Sequence, residues 1–175
     1  MKKSSILRLV ILLLVGLLIS ACQNNENGSL VSRGVTENEK EVIAGDFSLT
    51  VTLDKTEARI RDTITVTVVF KNLSDIDIEA ELPDWIAAGG GRNKEDILDA
   101  VLLYEGVEWG FLDILFKPRP KILIENGAVI ERQFEFTVTE KKNFEVHAGA
   151  FFITQSTVYP EGMQTVSTSL KIKVQ

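Results

Sequence analysis

The chain has one cysteine, one histidine and four prolines in 175 residues, and fewer basic than acidic side chains, 19 against 25. A lone cysteine excludes an intramolecular disulfide framework and a thiolate metal cage. A lone histidine, His147, leaves a metal site only with carboxylates. No Gly-x-Ser-x-Gly nucleophile setting is present, and the glycine run 89–91 lacks the Lys-Ser/Thr sequel of a phosphate-binding loop. The sequence therefore implies no cofactor and no enzyme. The formal charge is −6 with no basic stripe, which argues against nucleic acid as a partner. Long apolar runs are equally scarce. The longest, Leu9 to Ala21, falls short of the ~20 residues that cross a bilayer.

That run has its own logic. Lys2, Lys3 and Arg8 make a basic start, "ILLLVGLLI" an apolar core of export-signal length, and Ser20-Ala21 a pair of small residues before Cys22. "ISAC", residues 19–22, resembles the lipobox of bacterial lipoproteins. The resemblance implies cleavage after Ala21, diacylglyceryl modification of the Cys22 thiol, and a location outside the cytoplasmic membrane, anchored to it or to an outer membrane. A diacylated cysteine supplies the more than one chain that stable anchoring takes. Removal of residues 1–21 takes the formal charge from −6 to −9, because its three charges are all positive.

Residues 22–45 are polar and without sustained periodicity. They read as the lipidated N-terminus and a flexible tether, in which only Leu30, Val31, Val42 and Ile43 are candidates for weak pairing with the domain. About 20 such residues reach up to ~70 Å when extended. Residues 46–175 are of single-domain size and long enough to bury a core without crosslinks.

Within that domain the period is two. Phe47, Leu49, Val51 and Leu53 share one face of "FSLTVTLD", and Ile64, Val66, Val68 and Phe70 one face of "DTITVTVVFKN". "IDIEAEL" sets Ile76, Ile78, Ala80 and Leu82 against Asp77, Glu79 and Glu81. Three half-buried strands in succession exclude an α/β crossover pattern. Further strands follow over 129–138, where Arg132 interrupts the apolar face of Ile130, Phe134, Phe136 and Val138. Residues 143–154 form another, with Phe144, Val146, Ala148, Ala150 and Phe152 inward. In 165–174 Thr168 sits among Val166, Leu170, Ile172 and Val174. Many short strands without a long periodic helix favour an all-β sandwich or small barrel.

"LTVTLDKTEARIRDTITVTVVFKNLSD", 49–75, resembles the opening of bacterial immunoglobulin-like domains, with Arg61-Asp62 where Gly-Asp is usual. Arg adopts positive φ less readily than Gly. "FEVHAGAFF" and "YPEGMQTVSTSLKIKV" are similar to the last two strands and their loop, with Phe144 where many relatives carry the corner tyrosine. The resemblance implies an immunoglobulin-like β-sandwich of about seven to nine strands. It implies nothing about activity, because sandwiches host unrelated functions.

The middle segment, 83–127, fits this template least well. The glycine run is a hinge or wide turn. Asn93 with Asp96 reads as a capped helical turn, and strands are preferred from Ala100 onward through "VEWGFLDILF". Pro118 and Pro120 force an extended exit to a sheet edge. Trp85, Tyr104 and Trp109, together with Tyr159 and Met163 of the loop 158–164, are the candidate partner contacts, since loops and exposed aromatics on a rigid scaffold carry binding. Asp75, Asp77, Glu79 and Glu81 read as a solvated acidic face, Asn72-Leu73-Ser74 as a turn, and His147 as pointing away from the core side. The expected function is a lipid-anchored module that binds another cell-envelope protein. An inhibitor of an extracytoplasmic enzyme, acting through a protruding loop, is the alternative.

Overall fold

Alternation in the first half becomes a five-stranded antiparallel sheet. Its members are β1 (Val31–Thr36), β2 (Glu39–Ala44), β3 (Phe47–Leu53), β5 (Thr63–Asn72) and β9 (Val129–Thr137), in the order β1-β2-β3-β5-β9. The second sheet holds β4 (Glu57–Ala58), β6 (Ile78–Glu81), β7 (Leu98–Tyr104), β8 (Lys121–Ile124), β10 (Phe144–Thr154) and β11 (Gly162–Val174). These come from a computed structural model that describes residues 31–84, 86, 90–104, 119–154 and 162–175.

The centre of the second sheet is β10. One edge pairs with β11 along its whole length, Phe144 opposite Ile172 through Thr154 opposite Gly162. Its other edge is divided: β7 takes Phe144 to Ala150, and β6 takes Ile153 and Thr154. β8 then pairs with β6 and ends the sheet among the described residues. The chain is thus all-β and two-layered, consistent with the expected sandwich.

The expected inward faces pack against one another. Leu49, Val51, Leu53, Ile64, Val66, Val68 and Phe70 are wholly buried, as are Val146, Ala148, Ala150 and Phe152. Phe152 of the second sheet meets Phe47 and Phe70 of the first edge-on, with centroids 5.3 and 5.7 Å apart. Such pairs add about 0.5–1.5 kcal/mol beyond their burial. Thr168 turns its hydroxyl inward, where it is buried without a hydrogen-bond partner among the described residues.

Two polar joints tie the sheets at their margins. Asn72, 1 % exposed, ends β5 and donates its amide to the carbonyls of Ile76 and Glu125 at 3.1 Å, while Ser74 donates its backbone N–H and hydroxyl to Asn72 Oδ1 at 3.1 and 2.6 Å. The Asn-Leu-Ser triplet is accordingly a turn whose amide is fully used. Arg132, which interrupts the apolar face of β9, reaches the other sheet. Its guanidinium lies 5.1 Å from the Phe134 ring centroid and bonds Asp96 Oδ1 at 3.3 Å and the Leu98 carbonyl at 3.2 Å.

Three expectations are corrected. The tether does not extend to 45: Val31–Thr36 and Glu39–Ala44 pair as strands, and Val42 is buried in the core. A polar strand with one inward valine carries too little periodicity to announce itself. There are eleven strands among the described residues instead of seven to nine, because these two and the two-residue β4 add to the count. The strand expected from Ala100 begins at Leu98, directly after a 3-10 turn at Lys94–Ile97. That turn is held as expected by Asp96, whose carboxylate accepts the backbone N–H of Asn93 at 2.9 Å and of Arg92 at 2.8 Å.

Candidate interaction surfaces

Strand register gathers side chains that are far apart in the sequence. On the outer face of the second sheet Met163 of β11 lies opposite Ile153 of β10, Ile153 opposite Glu81 of β6, and Glu81 opposite Lys121 of β8. Opposed residues point to the same face, so the four form one row, about 14 Å long at the usual strand spacing. Beside it Glu79 opposes Leu123. The alternate residues of the same strands, Ala80, Ile122, Ile124 and Phe152, face the core.

The row borders an open hollow of ≈ 470 Å³ lined by Glu79, Glu81, Lys121, Leu123 and Ile153 with the β6–β8 backbone. Leu123 and Met163 are 46 % and 49 % exposed, large apolar side chains in water on a face otherwise rimmed by charge. At its margin Arg119 forks onto Asp84, with Nε–Oδ1 2.6 Å and Nη2–Oδ2 3.0 Å. The bonded Asp84 carboxylate, with Glu81 nearby, raises the Arg119 pKa above its usual value. A bidentate pair of this kind fixes geometry as well as charge, and here it holds the chain on both sides of the hollow, before β8 and after β6. Pro120 precedes β8, and its carbonyl accepts the Leu82 N–H at 3.0 Å. Pro118 of the expected exit lies outside the described residues; among these, β8 after Pro120 is at the end of the sheet.

Of the residues singled out from sequence, Met163 belongs to this surface. Tyr104 closes β7 opposite Phe144. Trp85, Trp109 and Tyr159 lie outside the described residues, as do Cys22 and most of the loop 158–164. Sequence reasoning did not assemble Leu123, Lys121, Glu79 and Glu81 into a site. The alternating acids of β6 gave a signal, but only the cross-strand register supplies their apolar neighbours.

His147 is on the outer face, as expected, half-buried and 3.0 Å from Glu145 Oε2. Lys171 of β11 stands 3.7 Å from the other oxygen of Glu145. Asp99 on β7 opposes Gly149, two residues beyond His147, and burial pushes its carboxyl pKa up against the opposing pull of the Ala100 N–H and Arg132. Among the described residues no group of three or more His, Cys, Asp or Glu side chains is arranged to hold a metal ion.

No protein-family model and no curated protein matches the chain. Among solved structures it is similar to Spo0M, a sporulation control protein from Bacillus subtilis, at 16 % identity and a TM-score of 0.42, over 75 % of this chain and 50 % of that one. It is also similar to a β-glucosidase from Listeria innocua, at 17 % identity and a TM-score of 0.36, over 76 % of this chain and 16 % of that one. A β-glucosidase from Erythrobacter marinus gives 13 %, 0.37, 72 % and 15 % for the same quantities. The chain thus spans half the length of the first and a small part of the others, and likenesses at these scores carry no functional reading.

Proposed function

We propose that this chain is a lipid-anchored extracytoplasmic module, an immunoglobulin-like β-sandwich that binds another protein of the bacterial cell envelope. The observation that carries the binding reading is the row Met163–Ile153–Glu81–Lys121 beside a hollow lined by Leu123, with Leu123 and Met163 both about half exposed. Apolar side chains clustered on one face and rimmed by charge mark interaction sites. The acids and the lysine at the rim give such a surface partner selectivity. β8, which ends the sheet beside the hollow among the described residues, adds an edge to which an extended segment can pair. The anchor follows from "ISAC" at 19–22 and the apolar run before it. Only residues 23–30 then separate the lipid from β1, at most about 28 Å of extended chain, so the partner stands close to the membrane.

The test has two arms. Intact-mass measurement of the protein from membranes should find a mature chain that begins at an acylated Cys22, and Cys22→Ala should release the protein without lowering its melting temperature. An unmodified Cys22, or a product that keeps residues 1–21, defeats the anchor. In a crosslinking pull-down from membranes, Leu123→Asp with Met163→Asp should reduce recovery of a specific protein at least tenfold at unchanged fold. Equal recovery with the double variant removes the hollow from the proposal.

A further inference from the structure

Two turns among the described residues share one geometry but not one residue type. In Glu125–Ala128 the Ala128 N–H donates to the Glu125 carbonyl at 3.0 Å, and Gly127, third in the turn, has φ 65°. In Arg59–Asp62 the Asp62 N–H donates to the Arg59 carbonyl at 3.0 Å, and the third residue, Arg61, has φ 77°. A turn with positive φ at its third residue is normally filled by Gly or Asn. Arg61 is the one non-glycine residue with positive φ among those described.

The strained conformation is held from outside the turn. Asp62 Oδ2 accepts the Arg59 N–H at 2.8 Å, Arg61 donates its N–H to Val138 O at 2.7 Å, and Val138 donates back to Asp62 O at 2.9 Å. The turn is therefore a narrow, clamped tip. Ile60 is at its apex, 47 % exposed, between the exposed side chains of Arg59 and Arg61. Neither arginine takes part in an ion pair among the described residues. An L-residue at this φ costs free energy that glycine does not. Inside the described fold, the Arg61 side chain returns nothing for that cost.

The tip also lies at the end opposite the chain's entry. Val31 opposes Ile43 near the Gly45 turn, and that end also holds Asn72, whereas the tip follows Ala58 and precedes Thr63, at the other end of the ten residues of β5. The two ends are about 30 Å apart at strand rise.

We infer that Arg59–Asp62 is an insertion tip, which seats Ile60 in an apolar socket of a partner protein whose rim carries carboxylates that pair with Arg59 and Arg61. Its orientation away from the membrane rests on the lipid-anchor reading. The tip itself does not. On a chain of net charge −6, two cations flanking one exposed isoleucine select an acidic rim and repel basic ones. The strain is the cost of a cation where the turn would take glycine, and the bound state recovers it.

The experiment uses the full chain in its own cells, with a benzophenone amino acid replacing Ile60 or, at the opposite end, Leu73, which is 53 % exposed. Illumination should give a discrete protein adduct from position 60 and none from position 73. Arg59→Glu with Arg61→Glu should reduce that adduct at least tenfold at unchanged melting temperature. Arg61→Gly should raise the melting temperature and still weaken the adduct severalfold. An adduct that Arg61→Gly leaves unchanged, adducts only with lipid, equal adducts from both positions, or none from position 60 overturns the inference. Intact mass of the same sample reads Cys22 separately. An acylated Cys22 with no adduct defeats the tip alone, and an unacylated Cys22 defeats the anchor whatever position 60 does.

Discussion

The two sheets treat their outer faces differently. On β5 of the first sheet the inward residues are wholly buried, while Thr63, Thr65, Thr67 and Lys71 face outward and remain accessible. On β10 of the second sheet burial stops alternating between Ala148 and Phe152. Ala148, Gly149, Ala150, Phe151 and Phe152 are all buried, with Phe151 at 0 % although it points away from the core that contains Phe152. A strand wet on one side is marked by alternation, and a strand covered on both sides by a continuous apolar run. "AGAFFI" is such a run. The first sheet is a wall with one dry side. The second is buried on both faces only along Ala148 to Phe152 of β10, and its hollow opens farther along the outer face.

The largest expected effect tests that second surface. Phe151→Ala should cost about 3–5 kcal/mol, the range for a buried phenylalanine in any core, whereas Thr65→Ala on the outer face of the first sheet should stay within about 0.5 kcal/mol. Urea denaturation of the two variants beside the parent chain checks it. A loss of under ~1 kcal/mol for Phe151→Ala would make the two outer faces alike and end the comparison.

This difference also sets how much was legible in the sequence. Phe47 to Leu53 and Ile64 to Phe70 announced their faces because one side of each strand is wholly apolar and the other carries Ser or Thr, with Val69 the one exception. Phe144 to Phe152 yielded its core face by the same alternation, but Phe151 was invisible to it, since alternation has no place for an apolar residue on the polar side. β1 and β2 showed only as candidates for weak pairing because their sequences are mostly polar, and it is pairing of β2 with β3, and of β1 with β2, that orders them. The hollow could not be read from any single stretch. Glu81, Lys121, Ile153 and Met163 come from four strands, and the order β11-β10-β6-β8 that makes them neighbours is a property of the assembled sheet. Arg61 was the opposite case: one residue at a position that wants glycine, marked in the sequence and found with positive φ.

A smaller effect sharpens the picture of the second sheet. Gly149 lies on its outer face beneath the Phe151 ring, and a Cβ there would approach that ring to 2.7 Å and Ser167 Cβ to 3.1 Å. A strand glycine that makes room for a ring is a packing device, not a loss of order. Gly149→Ala should therefore destabilise by about 1–3 kcal/mol through overpacking, despite alanine's better strand propensity. Pairing it with Phe151→Leu should recover part of the loss, because the clash is with the far end of the ring. Additive losses in a double-mutant cycle would separate the two residues and place the ring elsewhere.

The smallest expected effect lies at the seam between the sheets, where two carboxylates three residues apart are shifted in opposite directions. Burial pushes Asp96 up, but the N–H groups of Asn93 and Arg92, then Arg132 and Arg92, outweigh it and hold its pKa below 3.8. Asp99 is raised above 3.8, with burial the leading cause. A lowered folded-state pKa contributes stability that is present above the unfolded value and is lost as pH falls through the folded one. A raised one does the reverse: the folded chain takes up a proton in the window above 3.8, so the charge works against folding as pH rises through it. Asp96→Asn should lose about 1 kcal/mol at neutral pH, since neutral acceptors bond more weakly than charged ones, and the difference should shrink as the pH is lowered to about 3. Asp99→Asn should gain stability at neutral pH while keeping its acceptor for the Ala100 N–H, 2.9 Å away. Urea midpoints across this pH range decide it. Arg132 lowers both carboxyls, so a shift of both variants in the same direction at neutral pH would mean that the burial of Asp99 and the N–H groups bonded to Asp96 do not set the two apart.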